Sequence, residues 1–217
     1  HSFPTRRSSD LVMVGPSSSH TAGAVRIGYI SGKLLQDHVV KAEILLHGSF
    51  ATTGIGHGTD KALIAGLLGM RPDDIRIPDS FFLAKRDGME FSFSTITLKD
   101  AHPNTAVLRL TGEHGRKIEV QAASIGGGRI LIAKLDGIEV NFSAEKPTLI
   151  VHNVDQPGHV AQVTSMLAEK QVNIATLQLY RDKRGGYAVM VIETDQEVPE
   201  ESVAWLEQLE IGRASCR

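Results

Sequence analysis

Residues 148–177 read TLIVHNVDQPGHVAQVTSMLAEKQVNIATL, and this stretch decides the fold of the second half of the chain. Thr148–Val154 is short and apolar, as a buried strand requires. In Asp155-Gln156-Pro157-Gly158, Asp155 is a candidate helix cap and Pro157 suits a first helical turn. Val160, Val163, Met166 and Leu167 then recur at helical spacing and make one apolar stripe. Further strands are predicted over Val172–Tyr180 and Tyr187–Thr194, joined by the polar turn Arg181–Gly186. A second helix over Glu200–Leu209 has Val203, Trp205 and Leu206 to bury. Strand, helix, strand, strand, helix is the ferredoxin-like order with one more strand owed.

That strand is expected to be lost, because Ile211–Arg217 (IGRASCR) reads as translated adapter sequence. His1–Asp10 (HSFPTRRSSD) reads the same way, and both stretches are set aside as cloning scars. Working towards the N-terminus, the composition shifts at Glu145–Pro147, which separates residues 11–146 from residues 147–210. In the first segment Val25, Ile27, Ile30, Leu34 and Leu35 predict a helix over Thr21–Leu35. A buried strand is expected at Glu43–His47. A second helix is expected over Thr59–Leu68, closed by Gly69 in the left-handed conformation that glycine adopts most cheaply. Beyond it, FSFSTITL at 91–98 and TAVLRL at 105–110 alternate with period two. Arg86–Gly88, Gly112–Gly115 and Gly126–Gly128 punctuate them as hairpin turns. The predicted class is α+β: two helices with antiparallel strands, then a ferredoxin-like βαββα(β) unit.

Composition narrows the function. With 41% hydrophobic and 22% charged residues, the chain is an ordinary globular one. No apolar run reaches the roughly 18 residues of a membrane-spanning helix, and no apolar stretch follows Arg6–Arg7 as in a signal peptide. The expected compartment is the cytoplasm. Setting the two ends aside removes four arginines and one aspartate, which moves the net charge from −2 to about −5. Such a surface repels phosphate backbones, so nucleic acid is not expected as a partner. The one cysteine, Cys216, lies in the excluded end. What is left can form no disulfide, supply no thiolate nucleophile and ligate no iron–sulfur cluster.

The densest polar cluster is Gly15-Pro16-Ser17-Ser18-Ser19-His20-Thr21, just ahead of the first helix. Four hydroxyls and an imidazole there meet a helix N-terminus, whose free amides and dipole favour a small carboxylate or phosphate. Simple capping by Ser19 or Thr21 is the alternative, although a cap needs only one hydroxyl. A second cluster runs from His47-Gly48-Ser49 through Thr52-Thr53 to Gly54-Ile55-Gly56-His57-Gly58. Its alternating glycines match neither a Rossmann nor a P-loop fingerprint. They would admit a ligand close to the backbone or serve as a flexible turn. His47, His57 and His102 match no zinc spacing, so no metal site is expected. His102-Pro103-Asn104-Thr105 is a turn by composition.

GPSSSHTAG at 15–23, with VRIG at 25–28, resembles the signature of the iron–sulfur L-serine dehydratase β chain. HGS at 47–49, GHGTD at 56–60, GLLG at 66–69 and HPNTA at 102–106 extend the resemblance. DQPGHVAQVTSMLAEKQVNIATL at 155–177 looks like an ACT domain, and together the match runs from Val12 to Leu209. The resemblance implies β-elimination of water from L-serine, giving pyruvate and ammonia, with a [4Fe–4S] cluster on a partner α subunit as Lewis acid. Neither the iron nor the base that takes the α-proton is expected on this chain, which would be inactive alone. Ser17, Ser18, Ser19, His20 and Thr21 are implied to hold the substrate carboxylate or to close the site across the subunit interface. His47, Ser49, Thr53, His57 and Asn104 would wall it. In the ACT-like segment, Asp155, Gly158 and Asn173 fall where such domains bind small amino acids at an interface between two copies; a platform for dimerisation is the other option. The family's similarity to the regulatory part of phosphoglycerate dehydrogenases implies an alternative role, an allosteric serine sensor.

Overall fold

The structure is a computed structural model that describes residues 19–54, 58–208 and 214–216. Among these residues the chain forms two β-sheets with helices against them. A π-helical turn, Ser19–Gly23, runs straight into α1 (Ala24–Leu35). There follow β1 (Val39–Leu46), the short α2 (Gly48–Thr53), α3 (Thr59–Leu67) and α4 (Ser80–Arg86). Strands β2 (Glu90–Thr95), β3 (Thr105–Gly112), β4 (Lys117–Gly126), β5 (Arg129–Leu135) and β6 (Ile138–Phe142) complete the first part.

The first sheet has the order β2-β1-β3-β4-β5-β6. The α+β reading holds, with two departures in detail. Strand β2 pairs parallel to β1, Ala42 opposite Phe91 and Ile44 opposite Phe93, while the remaining pairings are antiparallel. A parallel return needs a crossover, and α2, α3 and α4 supply it. The short helices α2 and α4 are additions to the two expected. Helix α1 crosses α3 very closely. A methyl group on Gly28 would lie 2.1 Å from the Leu63 carbonyl oxygen, and one on Gly66 would lie 2.1 Å from that of Val25. The apolar stripe of α1 thus reaches the core completely buried, with Val25, Ile27 and Leu35 at zero exposure.

The second part comprises β7 (Thr148–Val154), α5 (His159–Glu169), β8 (Ile174–Arg181), β9 (Tyr187–Thr194) and α6 (Glu200–Gln208). The strand expected to be lost is present in short form. β10 (Ala214–Cys216), within the stretch read as adapter-derived, lies antiparallel to β7 and gives the order β10-β7-β9-β8. Two other expectations are corrected. Asp155 does not cap α5, since Gly158 stands at the helix start with no side-chain cap and Asp155 bonds elsewhere. Trp205 is not buried but 42% exposed, because α6 turns Ser202, Val203 and Leu206 inwards instead.

The two inner strands of the second sheet, β7 and β9, are covered on both faces. Leu149, Val151, Met190 and Ile192 pack under α5 and α6. Their alternating neighbours Ile150, Val189 and Val191 join the core of the first part. Period-two alternation sends successive side chains to opposite faces, so β7 and β9 each serve two cores.

Candidate functional site

The π-turn at the head of α1 places His20 against α2. Its Nε2 lies 3.1 Å from Ser49 Oγ and 3.1 Å from Thr53 Oγ1, residues 29 and 33 positions away. The ring sits edge-on to Phe50 with centroids 5.4 Å apart, and Phe50 is fully buried. Thr53 Oγ1 also donates to the Ser49 carbonyl at 2.7 Å. A hydroxyl carries one proton, so Thr53 can meet His20 only as an acceptor. A bond between Thr53 and this ring then needs the proton on Nε2, whereas Ser49 Oγ can meet the same nitrogen as donor or acceptor, according to the tautomer. With the proton on Nε2, Ser49, the second hydroxyl in reach, keeps its own proton to offer to a bound anion.

Helix α2 is held in place by the 102–105 turn. The Pro103 carbonyl accepts from the Ser49 amide at 2.8 Å and from the Phe50 amide at 3.4 Å. Gly48 makes this approach feasible: its φ is +57°, and a methyl group there would lie 2.5 Å from the Pro103 oxygen. The Asn104 carbonyl in turn accepts from the Ser124 amide at 2.9 Å.

The structure thus brings together His20, Ser49 and Thr53, with Asn104 in the supporting turn. His47 is differently engaged. Its Nδ1 accepts from the Leu98 amide at 3.2 Å, and its own amide bonds the Thr105 carbonyl at 3.0 Å, so it fastens the sheet edge to α2. Thr21 is turned inwards and is 5% exposed. Ser17, Ser18 and His57 lie outside the described residues, and Ser19 is described only as the first residue of the π-turn. Sequence reasoning missed the contribution of Phe50, because a six-residue helix is too short to show a periodic stripe. It read Gly126–Gly128 as a hairpin turn but did not place that turn at the site. Arg26 reaches the Gly128 carbonyl at 3.4 Å, so this turn lies against the π-turn and the start of α1.

In the second part, Asp155 and Asn173 stand at opposite ends of the sheet. The Asp155 carboxylate takes Arg181 Nη1 at 2.7 Å and the Gly185 amide at 3.1 Å; that amide and the guanidinium hold its pKa below the ordinary range. Asn173, past the far end of α5, donates from Nδ2 to the Asp195 carboxylate and from its backbone amide to Gln196 Oε1 at 3.2 Å. Gly158 starts α5 with φ +97° beside Asp155. One copy of the chain does not unite the three.

Several donors ring no common centre. Among the described residues no three His, Cys, Asp or Glu side chains converge as metal ligands, and no helix is long and apolar enough to cross a membrane.

Comparison with known proteins gives this architecture a family. Residues 10–86 match the family model for the serine dehydratase beta chain, and residues 147–210 match the ACT domain. The "L-serine dehydratase, beta chain" of Peptoniphilus asaccharolyticus is 39% identical over 190 residues, covering 87% of this chain and 86% of the relative. The "Probable L-serine dehydratase, beta chain" of Bacillus subtilis (strain 168) is 38% identical over 198 residues, 91% and 90% of the two chains. A D-3-phosphoglycerate dehydrogenase of Methanocaldococcus jannaschii is 27% identical over 190 residues, which is 86% of this chain but 35% of that protein. With its His20-bearing turn ahead of α1 and its ACT sheet behind, the chain belongs to the serine dehydratase beta chain family.

Proposed function

We propose that the chain is the β subunit of an L-serine ammonia-lyase, and that His20, Ser49 and Thr53 hold the carboxylate of L-serine where this chain meets an α subunit. The observation that carries the reading is the convergence of an imidazole nitrogen and two hydroxyls from segments remote in sequence. The near full-length match to proteins named for this activity supports it. Ser49 supplies a hydroxyl donor of the type an anion needs, and fully buried Phe50 excludes water from one side. Ser17, Ser18, Ser19 and His57 are assigned to the same wall from the sequence, together with Thr21, His47 and Asn104 as its supports.

An iron–sulfur cluster is held by several thiolates, and this chain has one cysteine, Cys216. Its donors do not fit a [4Fe–4S] cluster, which belongs in this reading to the α subunit, as does the base that takes the α-proton. The chain alone is then inactive. For the ACT segment, the separation of Asp155 and Gly158 from Asn173 supports a small-amino-acid site completed by two copies, one giving each end.

The test is to purify the chain with its α subunit and assay serine-to-pyruvate conversion without oxygen. His20→Ala and Ser49→Ala should each raise KM or lower kcat about ten-fold or more. Unchanged kinetics in both, or turnover by this chain unaided, overturns the proposal. The similarity to phosphoglycerate dehydrogenase favours a second reading, in which the same turn senses serine as an effector. Calorimetry separates the two: tight serine binding by the chain with no effect of His20→Ala on the lyase selects the sensor.

A further inference from the structure

We infer that Ser124 is a positioning residue for the candidate site, setting the place of the His20-bearing turn through direct contact with Gly23. This rests on the reading of His20 given above and adds a residue that neither motif nor family match marks.

The π-turn lies flat on β4. A methyl group on Gly23 would stand 2.0 Å from Ser124 Oγ and 2.7 Å from its Cβ, whereas the Ser124 Cα would be 3.6 Å away. Gly23 has φ −64° and ψ −41°, ordinary right-handed helix. Alanine suits those angles better than glycine does, so it is the side chain opposite, and not the backbone, that requires glycine at this position. Ser124 fills the space that Gly23 leaves. It is fully buried, and among the described residues its Oγ has no hydrogen-bond partner. A buried hydroxyl without a partner is unfavourable for folding, and alanine would fit the strand without it. The oxygen is therefore accounted for by what it touches.

Ser124 also closes a ring of contacts. His20 reaches Ser49 and Thr53, Ser49 is held by Pro103, and Asn104 is held by the Ser124 amide. The Ser124 side chain then returns to Gly23, three residues past His20. Each segment of the candidate site is thus fixed relative to the next, and a π-turn, a rare form found often at functional sites, sits where the ring closes. Displacing the turn by the width of a methyl group moves His20 relative to Ser49, and displacements near 1 Å are enough to cost about 100-fold in rate.

Three variants assayed in the αβ complex test this. Ser124→Ala removes the orphan hydroxyl, so its thermal midpoint should stay level or rise while KM for L-serine rises about three-fold or more. That opposition of signs would not come from a residue with a merely structural role. Gly23→Ala should lower kcat/KM about 10- to 100-fold. Adding Ser124→Gly, which leaves only the Cα in ordinary contact, should return it to within about three-fold of wild type. Gly28→Ala is the control: an equally tight approach elsewhere on the same helix, it should lower the midpoint and leave KM alone. The inference is overturned if Ser124→Ala leaves KM unchanged, or if the double variant stays as impaired, or as unfolded, as Gly23→Ala. If His20→Ala is also silent, the carboxylate-site reading falls first; if His20→Ala is impaired and these variants are not, only the role of Ser124 falls.

Discussion

Thr53 shows how little of the site a single residue reveals by itself. It is exposed, it ends a six-residue helix, and its hydroxyl proton goes to the Ser49 carbonyl. Its consequence lies in the lone pairs left over, which can accept a proton from His20 Nε2. Thr53→Val keeps the shape and removes the oxygen, and a neutral hydrogen bond contributes about 1 kcal/mol. A five-fold fall in kcat/KM for L-serine is the expected result in the αβ complex, with folding intact; full activity would show that Nε2 needs no acceptor. The abundance of hydroxyls at 17–21 was plain in the sequence because composition is local. The partners of His20 were not, since Ser49 and Thr53 lie a strand away and only the fold returns them. Ser124 carried no signal of any kind, being one small residue in an alternating strand.

At the scale of elements, the end of α1 is tied to the β3–β4 hairpin through Asp37 and His114. The Asp37 carboxylate accepts from His114 Nδ1 at 2.8 Å and from the amides of His114 at 2.9 Å and His38 at 2.8 Å. The His114 ring lowers the pKa of Asp37 below its ordinary 3.8, and Asp37 raises that of His114 above 6.5, with Glu113 adding to the rise and Arg116 opposing it. The contribution from Asp37 is present above pH 3.8 and is lost as pH falls through its lowered value. That from His114 is complete below pH 6.5 and is lost as pH rises through its raised value. The pair should therefore hold the hairpin best between these limits. The parent chain's thermal midpoint is expected to fall as pH rises above 6.5, and His114→Gln to flatten that fall; an unaltered slope would remove the pair as its cause. Elements with long periodic patterns, such as α1, β7 and β9, were legible to within a few residues. The parallel pairing of β2 with β1 was not, because which strand lies alongside is written in no local pattern. Helix α4 was hidden for a related reason, as its Phe81 and Phe82 run on towards the alternating FSF of β2.

For the whole molecule, the informative pattern is the unbroken apolar run. In β7, Leu149, Ile150 and Val151 are all fully buried, and in β9 the run Val189, Met190, Val191 and Ile192 is nearly so. A half-exposed antiparallel strand alternates, whereas one covered on both faces does not. These runs announced a sheet shared between two cores, and reading them as strands alone left the second contact unnoticed. Ile150, Val189 and Val191 carry that contact, joined by a bridge in which Arg116 bonds Gln36 at the end of α1 at 3.0 Å and Glu207 on α6 at 3.2 Å. Such a sheet cannot melt without exposing the core of the first part, so the two parts should unfold together. Trp205 is the single tryptophan and lies on α6. Its fluorescence therefore follows the second part, while far-ultraviolet circular dichroism follows both. The two denaturation curves are expected to coincide, and Ile150→Ala, which removes a buried side chain worth about 2–4 kcal/mol, should shift both to lower denaturant by the same amount. Separate midpoints, or a shift confined to the tryptophan signal, would mean that the second sheet is an independent unit, and that a ligand bound to it has no direct path to the turn carrying His20.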